Sequence, residues 1–470
     1  MSGLFSSLQA SVNALGAQAR AVETAGKNLA NVNNPAYARQ RVLLGSLGTI
    51  PTPQGPESMG LTVLAVQQLR DALLDQQTER EVSLTAGYLA EQQSYQRAQA
   101  GLGQSINGTQ NSSGASSTGA NGVGAALDDF FNAFQSLAAS PTDAGQRQTL
   151  LQNTAILTDR LRLADQRLSQ VSTDLDSQIT TDVSTANRLL QSIAGLNSQI
   201  ARLEINNPGA AVDLRDQRQA NLEQLAAKMP VELRTSVTGQ VQLYARDGAG
   251  ADVLLVAGAT VTGPINFTGT QITAGSPSTV LALSSGSIQG ALLARDGAVQ
   301  LIRDNLDQLS AQLVVAVNAA YNPTGATGDF FAPGGLTAGT IALASGVNAL
   351  TLKASDGGPA GANTVALAIA QLATRKFSLT GGDAFNGTFG GFYATAVSNL
   401  GQAVAGASAR VADQTNIEQL IRSQRDAVSG VSLDEETADL IKYQRAFQAA
   451  SRVFTTIDSL LETVVNRLGA

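Results

Sequence analysis

Cysteine, histidine and tryptophan are all missing from this chain of 470 residues. Without thiols there are no disulfides and no thiolate nucleophile. Without imidazole there is no general base that titrates unperturbed near neutrality, and zinc sites built on Cys or His disappear as well. Aromatic residues make up only 4% and charged residues only 14%, so aromatic-lined pockets and dense charged surfaces are both scarce. These gaps disfavour most hydrolytic and redox chemistry. A net charge of −7 gives the chain as a whole no basic footprint, so nucleic acid is not expected as a partner. No stretch approaches the roughly eighteen consecutive apolar residues of a membrane span, so membrane insertion is not expected. The opening segment, MSGLFSSLQASVNALGAQAR, lacks the basic start and unbroken apolar run of a secretory signal, and no cleaved signal peptide is expected.

What is present favours long helices. Hydrophobic residues reach 43%, rich in Ala and Leu, and the length supports about two or three domains. Near the start, apolar or small residues fall at Phe5, Leu8, Val12, Leu15, Ala19, Val22, Gly26 and Leu29, in alternating steps of three and four. The spacing predicts a coiled-coil helix from Gly3 to Ala30, about 40 Å long at roughly 1.5 Å per residue. Asn33-Asn34-Pro35 ends it, because proline disfavours the α conformation in the residue before it. The far end mirrors this arrangement with Leu440, Tyr443, Phe447, Ala450, Phe454, Ile457, Leu461, Val464 and Leu468. Ser432 and Glu435 stand at capping-box spacing, and Asp434, Glu435 and Glu436 put negative charge in the first turn, so this helix begins near Leu433.

Between the ends, a Gly/Ser/Asn/Thr stretch from Gly101 to Gly124 reads as a flexible loop. A Gln-rich polar block from about Thr62 to Ala100 is expected to be helical, and a second helical block opens at Leu127 with Phe130, Phe131 and Phe134. Leu150 to Leu203 predicts a very long helix or helix pair, turned at Asn206-Asn207-Pro208-Gly209 and returning as a helix from Asp213 to Met229. The period then changes: Val231-Glu-Leu-Arg, Val241-Gln-Leu-Tyr, Val253-Leu-Leu-Val and Val280-Leu-Ala-Leu read as short strands. Helical spacing resumes from Val299 to Val317, breaks from Asn322 to Pro359 with two expected short strands, and returns by Tyr393. The fold class is mainly α with inserted β: an elongated multi-domain rod with terminal coiled-coil helices, a long-helix bundle and a small β domain.

Candidate chemical sites fail on inspection, and no catalytic, cofactor or metal site is expected. Gly26-Lys27 has the last letters of a phosphate loop, but Ala21 stands where its first Gly belongs and the segment lies inside a heptad helix. Asp434-Glu435-Glu436 suggests a divalent ion, yet acids in a first turn are the ordinary answer to the helix dipole. Gly381-Gly382 and Gly390-Gly391 read as turns. Ala245-Arg-Asp-Gly and Ala294-Arg-Asp-Gly repeat, but four letters are a weak duplication signal and suit a turn or helix end. Asn107-Gly-Thr and Asn386-Gly-Thr match a glycosylation pattern of little meaning without a secretory signal.

The terminal stripes carry the functional reading. A long amphipathic helix is marginal in water, because most helix stability comes from packing its apolar face. Burying Leu440, Phe447, Phe454, Ile457 and Leu461 fully would contribute on the order of 10 kcal/mol. Pairing the two ends of one chain covers a single side of each. A stripe at both extremes therefore favours packing against copies of the same chain over an ordinary intramolecular bundle. The assembly-interface candidates are Phe5, Leu8, Val12, Leu15, Ala19, Val22 and Leu29 with Leu440 through Leu468 at the seam positions above.

The same positions carry a resemblance. Leu15-Gly-Ala-Gln-Ala, together with Asn28-Leu-Ala-Asn-Val-Asn-Asn-Pro-Ala-Tyr-Ala-Arg-Gln, resembles the N-terminal signature of bacterial flagellar rod, hook and hook-associated proteins. Ser429-Gly-Val-Ser-Leu-Asp-Glu-Glu and Tyr443-Gln-Arg-Ala-Phe-Gln-Ala-Ala narrow it to the hook-associated family of the hook-filament junction. Asp129-Phe-Phe with Arg147-Gln, Asp213-Leu-Arg-Asp-Gln-Arg, Gly286-Ser-Ile-Gln-Gly and Gly328-Asp-Phe-Phe resemble segments of that family in the same order. One departure is Ala36, where the family usually has Gly, which puts a left-handed turn there in question. The stretch after Phe331 is short compared with longer members, which suggests a reduced surface β domain.

The resemblance implies a non-enzymatic structural protein of the bacterial flagellum. It implies export through the flagellar type III channel with tails unfolded until docked, and an extracellular position at the hook-filament junction. The implied partners are copies of itself in a helical ring, hook protein, the second junction protein, and a flagellar export chaperone at the C-terminal helix. Residues 1–35 and 433–470 would form an inner coiled-coil layer, 36–230, 287–321 and 392–432 a helical bundle, and 231–286 and 322–391 a β-containing outer region. The alternatives are another axial component (hook, distal rod or second junction protein) or, from a different class, a secreted enzyme or adhesin on a helical stalk.

Overall fold

A computed structural model of the chain describes residues 2–52, 55–102, 122–235, 241–275, 277–325, 328–359 and 361–467. Most of the Gly/Ser/Asn/Thr stretch expected as a loop, and Leu468 of the C-terminal stripe, lie outside the described residues. The fold is mainly α with small antiparallel sheets inserted. The chain divides into two compact units: unit 1 comprises Met1–Thr85, Val183–Ser284 and Gln414–Ala470, and unit 2 comprises Ala86–Asp182 and Ser285–Asp413.

Unit 1 contains both terminal helices. Helix α1 (Ser2–Ala30) packs against α10 (Leu433–Arg467), the end of one meeting the start of the other, so the pair is antiparallel. Strands β1 (Gln40–Ser46) and β4 (Leu61–Gln68) pair antiparallel with a bulge between Leu43 and Leu44, and β2 (Thr49–Thr52) and β3 (Gly55–Ser58) form a hairpin between them. This ribbon lies on α1. A Cβ at Gly60, which adopts φ +89°, would come within 2.9 Å of the Ala10 backbone, so the tight approach requires glycine. The expected helix at Thr62 is therefore corrected: residues 61–68 are a strand, as alternation in Leu61-Thr-Val-Leu-Ala-Val allows, and helix α2 begins at Ala72 and ends at Gly101.

Helix α4 (Ala144–Leu203) is one continuous helix, and its last third belongs to unit 1. After the Pro208-Gly209 turn, α5 (Val212–Lys228) leads into a meander of β5 (Glu232–Thr235), β6 (Val241–Arg246), β7 (Asp252–Ala257) and β8 (Thr260–Val261). Three short strands follow, β9 (Asn266–Phe267), β10 (Ile272–Ala274) and β11 (Thr279–Val280). Asn187 on α4 acts as a strand surrogate here: its amide donates to the Ile265 carbonyl (2.8 Å) and accepts from the Ile265 N–H (2.8 Å).

In unit 2 an aromatic-poor sequence gathers its rings. Phe130, Phe131 and Phe134 of α3 (Val123–Ala139) pack with Phe330 and Phe331, with Tyr321 at the end of α7 (Gln300–Tyr321), and with Phe389 at the start of α9 (Phe389–Ser429). Edge-to-face geometry, such as Phe130–Phe134 at 5.1 Å, adds to the burial of these rings. Asn318 grips Phe331 at both its N–H (2.8 Å) and its carbonyl (2.9 Å). The guanidinium of Arg147 ties the loop above α4, donating to the Leu352 carbonyl (2.6 Å) and the Pro141 carbonyl (2.9 Å).

Two local expectations change in unit 2. The two strands expected between Asn322 and Pro359 are replaced among the described residues by a single bridge, Phe331 to Leu343, because the loop is organised by buried rings and by the Asn318 clamp rather than by a ladder. A short helix, α8 (Thr364–Gln371), follows them. Gly390 and Gly391 lie in the first turn of α9, not in a turn between elements. The second Ala-Arg-Asp-Gly copy forms a π-helical turn joining α6 (Gly286–Ala294) to α7, where buried Arg295 pairs with Asp176 and Asp296. Gly290 and Gly87 let α6 and α2 meet backbone to backbone, with the Gly286 backbone also at this contact, which gives the Gly-Ser-Ile-Gln-Gly spacing a packing reason.

Candidate assembly surface

The sequence-predicted seam of α1 is only partly covered within the chain. Its buried face is instead the small-residue side, Ser11, Ala17, Ala21, Thr24, Ala25 and Asn28. Of the seam, Leu8, Leu15, Val22 and Leu29 are half-buried and Ala19 and Gly26 are exposed, while Phe5 stays 57% and Val12 45% exposed. On α10, Leu461 is 8% exposed, and Leu440, Tyr443, Ala450, Phe454, Ile457 and Val464 are half-buried. Its shoulders remain open: Phe447 is 39%, Val453 52% and Leu460 50% exposed. The two helices thus share one side of each stripe and leave an apolar edge on both.

At the base of this pair lies a polar clasp that hydrophobic periodicity does not reveal. Asn28, on the last turn of α1, has every position of its amide filled. Nδ2 donates to the Gln40 carbonyl (2.9 Å) and to the Glu436 carboxylate (2.9 Å), and Oδ1 accepts from the Gln40 N–H (3.0 Å) and the Tyr37 hydroxyl (2.8 Å). Glu436, 2% exposed, also accepts from Arg39 Nε at 2.6 Å, while Arg39 reaches Glu435 at 2.6 Å. Burial works against the Arg39 charge, but Glu436 and Glu435 outweigh it and raise its pKa. Burial, followed by the nearby carboxylates of Asp216, Asp213 and Glu436, pushes the Tyr37 hydroxyl well above its ordinary value.

The Asn-Asn-Pro-Ala-Tyr-Ala-Arg-Gln run is held from every side. Arg425 donates to the Pro35 carbonyl (2.8 Å), Arg70 to the Ala36 carbonyl (2.7 Å), and Arg39 N–H to the Ser429 carbonyl (2.8 Å). Gln40 donates to Asp213 (3.0 Å). Among the described residues no non-glycine residue has positive φ, so the turn at Ala36 forms without the left-handed conformation a glycine would permit. The acids at the start of α10 also take a different role from the one expected. Ser432 caps weakly, with the Glu435 N–H 3.5 Å from its hydroxyl, and the Glu435 carboxylate turns to Arg39 instead of completing a capping box. Dipole compensation is thus a partial account of these acids: Glu435 and Glu436 are ion-pair partners that join the two chain ends.

Among the described residues, no cluster of three or more acidic side chains could hold a metal ion, and no helix is long and apolar enough to cross a membrane. The comparisons with known proteins agree with a structural reading. The model of the flagellar hook-associated protein FlgK helical domain matches residues 109–331, and that of the flagellar basal body rod FlgEFG protein C-terminal region matches residues 422–468. Flagellar hook-associated protein 1 of Bacillus subtilis is 26% identical over 100% of this chain and 99% of its own length. These matches support a flagellar hook-associated protein 1. The Escherichia coli member is 23% identical over 99% of this chain and 100% of its own length. The flagellar hook junction protein FlgK from Burkholderia pseudomallei shares the fold, with a TM-score of 0.62 at 15% identity over 75% of this chain and 100% of that one. The likeness supports a structural role in the flagellum, and implies interaction with other axial proteins and a non-enzymatic protein. The matched C-terminal region contains α10 and its open shoulders.

Proposed function

We propose that the chain is the adaptor that joins hook to filament. It is exported through the flagellar type III channel and assembles outside the cell through its terminal helices. Copies of itself form a helical ring, with hook protein and the second junction protein as axial neighbours. An export chaperone covers the C-terminal helix beforehand. Residues 1–35 and 433–470 make the inner layer, 36–230, 287–321 and 392–432 the helical bundle, and 231–286 with 322–391 the outer region.

The observation that carries this reading is the pair of uncovered edges, Phe5 and Val12 on α1 with Phe447, Val453 and Leu460 on α10. Each is about half covered, so completing their burial against neighbours is worth on the order of 5 kcal/mol per subunit. The test is Phe447→Asp in cells carrying that variant alone. Phe447 lies at the rim of the pair, so the remainder of the protein should melt as the wild type does, while incorporation at the hook tip and filament growth are lost. Normal filaments built on the variant would overturn the proposal.

A further inference from the structure

Unit 1 contains a half-open cavity of about 630 Å³ between β1 and β4, the start of α2, α5 and the Pro208-Gly209 turn. Its charged lining is unevenly compensated. Arg70 lies between Asp75 (3.0 Å) and Asp216 (2.6 Å), and Arg215 takes both oxygens of Glu204 (2.8 and 2.6 Å). Glu79 accepts a hydrogen bond from Gln219 (2.9 Å), and burial raises its carboxyl to about 7. Arg218 has no carboxylate in ion-pair range among the described residues, and its guanidinium donates to the side-chain carbonyl of Asn197 at 3.0 Å. Burial, and then the neighbouring Arg215, lower its pKa to about 10, while Glu204, beyond ion-pair distance, offsets part of the shift. Arg70 Nε and Asp75 Oδ1, both on residues that line the cavity, are buried without a protein partner.

A guanidinium withdrawn from water without a directly paired carboxylate is costly, and its planar fork matches a carboxylate. Asp75 and Glu79 line the same space, so a dianionic phosphate is disfavoured there relative to a singly charged, planar carboxylate at Arg218. We propose that this cavity is a carboxylate-binding site in which Arg218 receives the anion, brought by a free organic acid or by an acidic side chain of a neighbouring chain. The proposal is independent of the terminal helices.

The experiment compares thermal melting of the full chain in sodium acetate and in sodium chloride at equal ionic strength, for wild type and Arg218→Gln. Line broadening of carbon-13 acetate is recorded on the same samples. The expected result is a saturable rise of a few degrees in acetate, absent in chloride and absent in the variant, with acetate broadened by the wild type. If the natural carboxylate is a free acid, Arg218→Gln assembles normally; if a neighbouring chain supplies it, the variant self-associates less and acetate competes with wild-type assembly. Identical melting in the two salts with unbroadened acetate overturns the proposal. An acetate effect fully retained by Arg218→Gln overturns it too, and the wild-type broadening remains decisive should the variant fold poorly.

Discussion

Replacing Asn28 by Leu keeps the volume of the side chain and removes four hydrogen bonds at once. Asn28 is buried, so the Gln40 N–H and carbonyl, the Tyr37 hydroxyl and one oxygen of Glu436 all lose their partner in a place water reaches poorly. At about 1–3 kcal/mol for each buried group left unpaired, and with local relaxation recovering part, the expected loss is about 3–5 kcal/mol in the clasp. The direct readout is hydrogen exchange at the Gln40 amide, which Asn28 Oδ1 accepts in the native state. A loss of 3 kcal/mol corresponds to exchange roughly 100-fold faster, since about 1.4 kcal/mol is a factor of ten. Combining the change with Glu436→Gln should give a combined cost well short of the sum of the two single costs, because both residues belong to one network. Strict additivity, or an acceleration below about fivefold, would refute the view that the clasp holds the bases of α1 and α10 together.

Glu79→Gln tests a second buried group. With the carboxyl raised to about 7, the folded state resists ionisation that the unfolded chain undergoes near 4.5. The native protein therefore loses stability as pH rises from about 4.5 to 7, by up to about 3 kcal/mol. Denaturation profiles should show the Gln variant flattening that decline, and an unchanged pH dependence would refute the assignment. Gly290→Ala places a methyl group onto the Gly87 carbonyl oxygen of α2. Forcing α2 and α6 apart should cost about 1–3 kcal/mol in chemical denaturation despite the better helix propensity of Ala, and a neutral or stabilising result would contradict the close crossing.

Long elements with apolar periodicity were legible in the sequence: α1 ends at Ala30 before Asn-Asn-Pro and α10 starts at Leu433, while spacing left α4 as either one helix or a pair and the structure makes it one. The misread stretches share a physical cause. The buried face of α2 is polar in its first turns, Asp75, Thr78, Glu79, Glu81 and Ser83 around a lone Val82, with polar partners such as Gln219, so an apolar stripe could not mark where the helix begins. The ribbon from Gln40 to Gln68 is half-covered and carries polar residues at its ends, which hides its alternation beside the helix that follows. For the candidate site, the stripe residues were visible from spacing, but which edge stays open depends on the small-residue face that α1 buries. The clasp was present only as letters of a family signature. Asn28 meets Glu436 across 408 positions of sequence, and no local pattern reports a contact of that separation.

The central claim is that neighbours complete the burial of the terminal helices, and the absence of cysteine makes one measurement especially clean. A single cysteine placed at Val453 by Val453→Cys supplies the chain's sole thiol for modification by a maleimide, first in the purified monomer and then in isolated hook-filament junctions. The account predicts rapid labelling of the monomer and strong protection in the junction. Equal labelling rates in both states would contradict it.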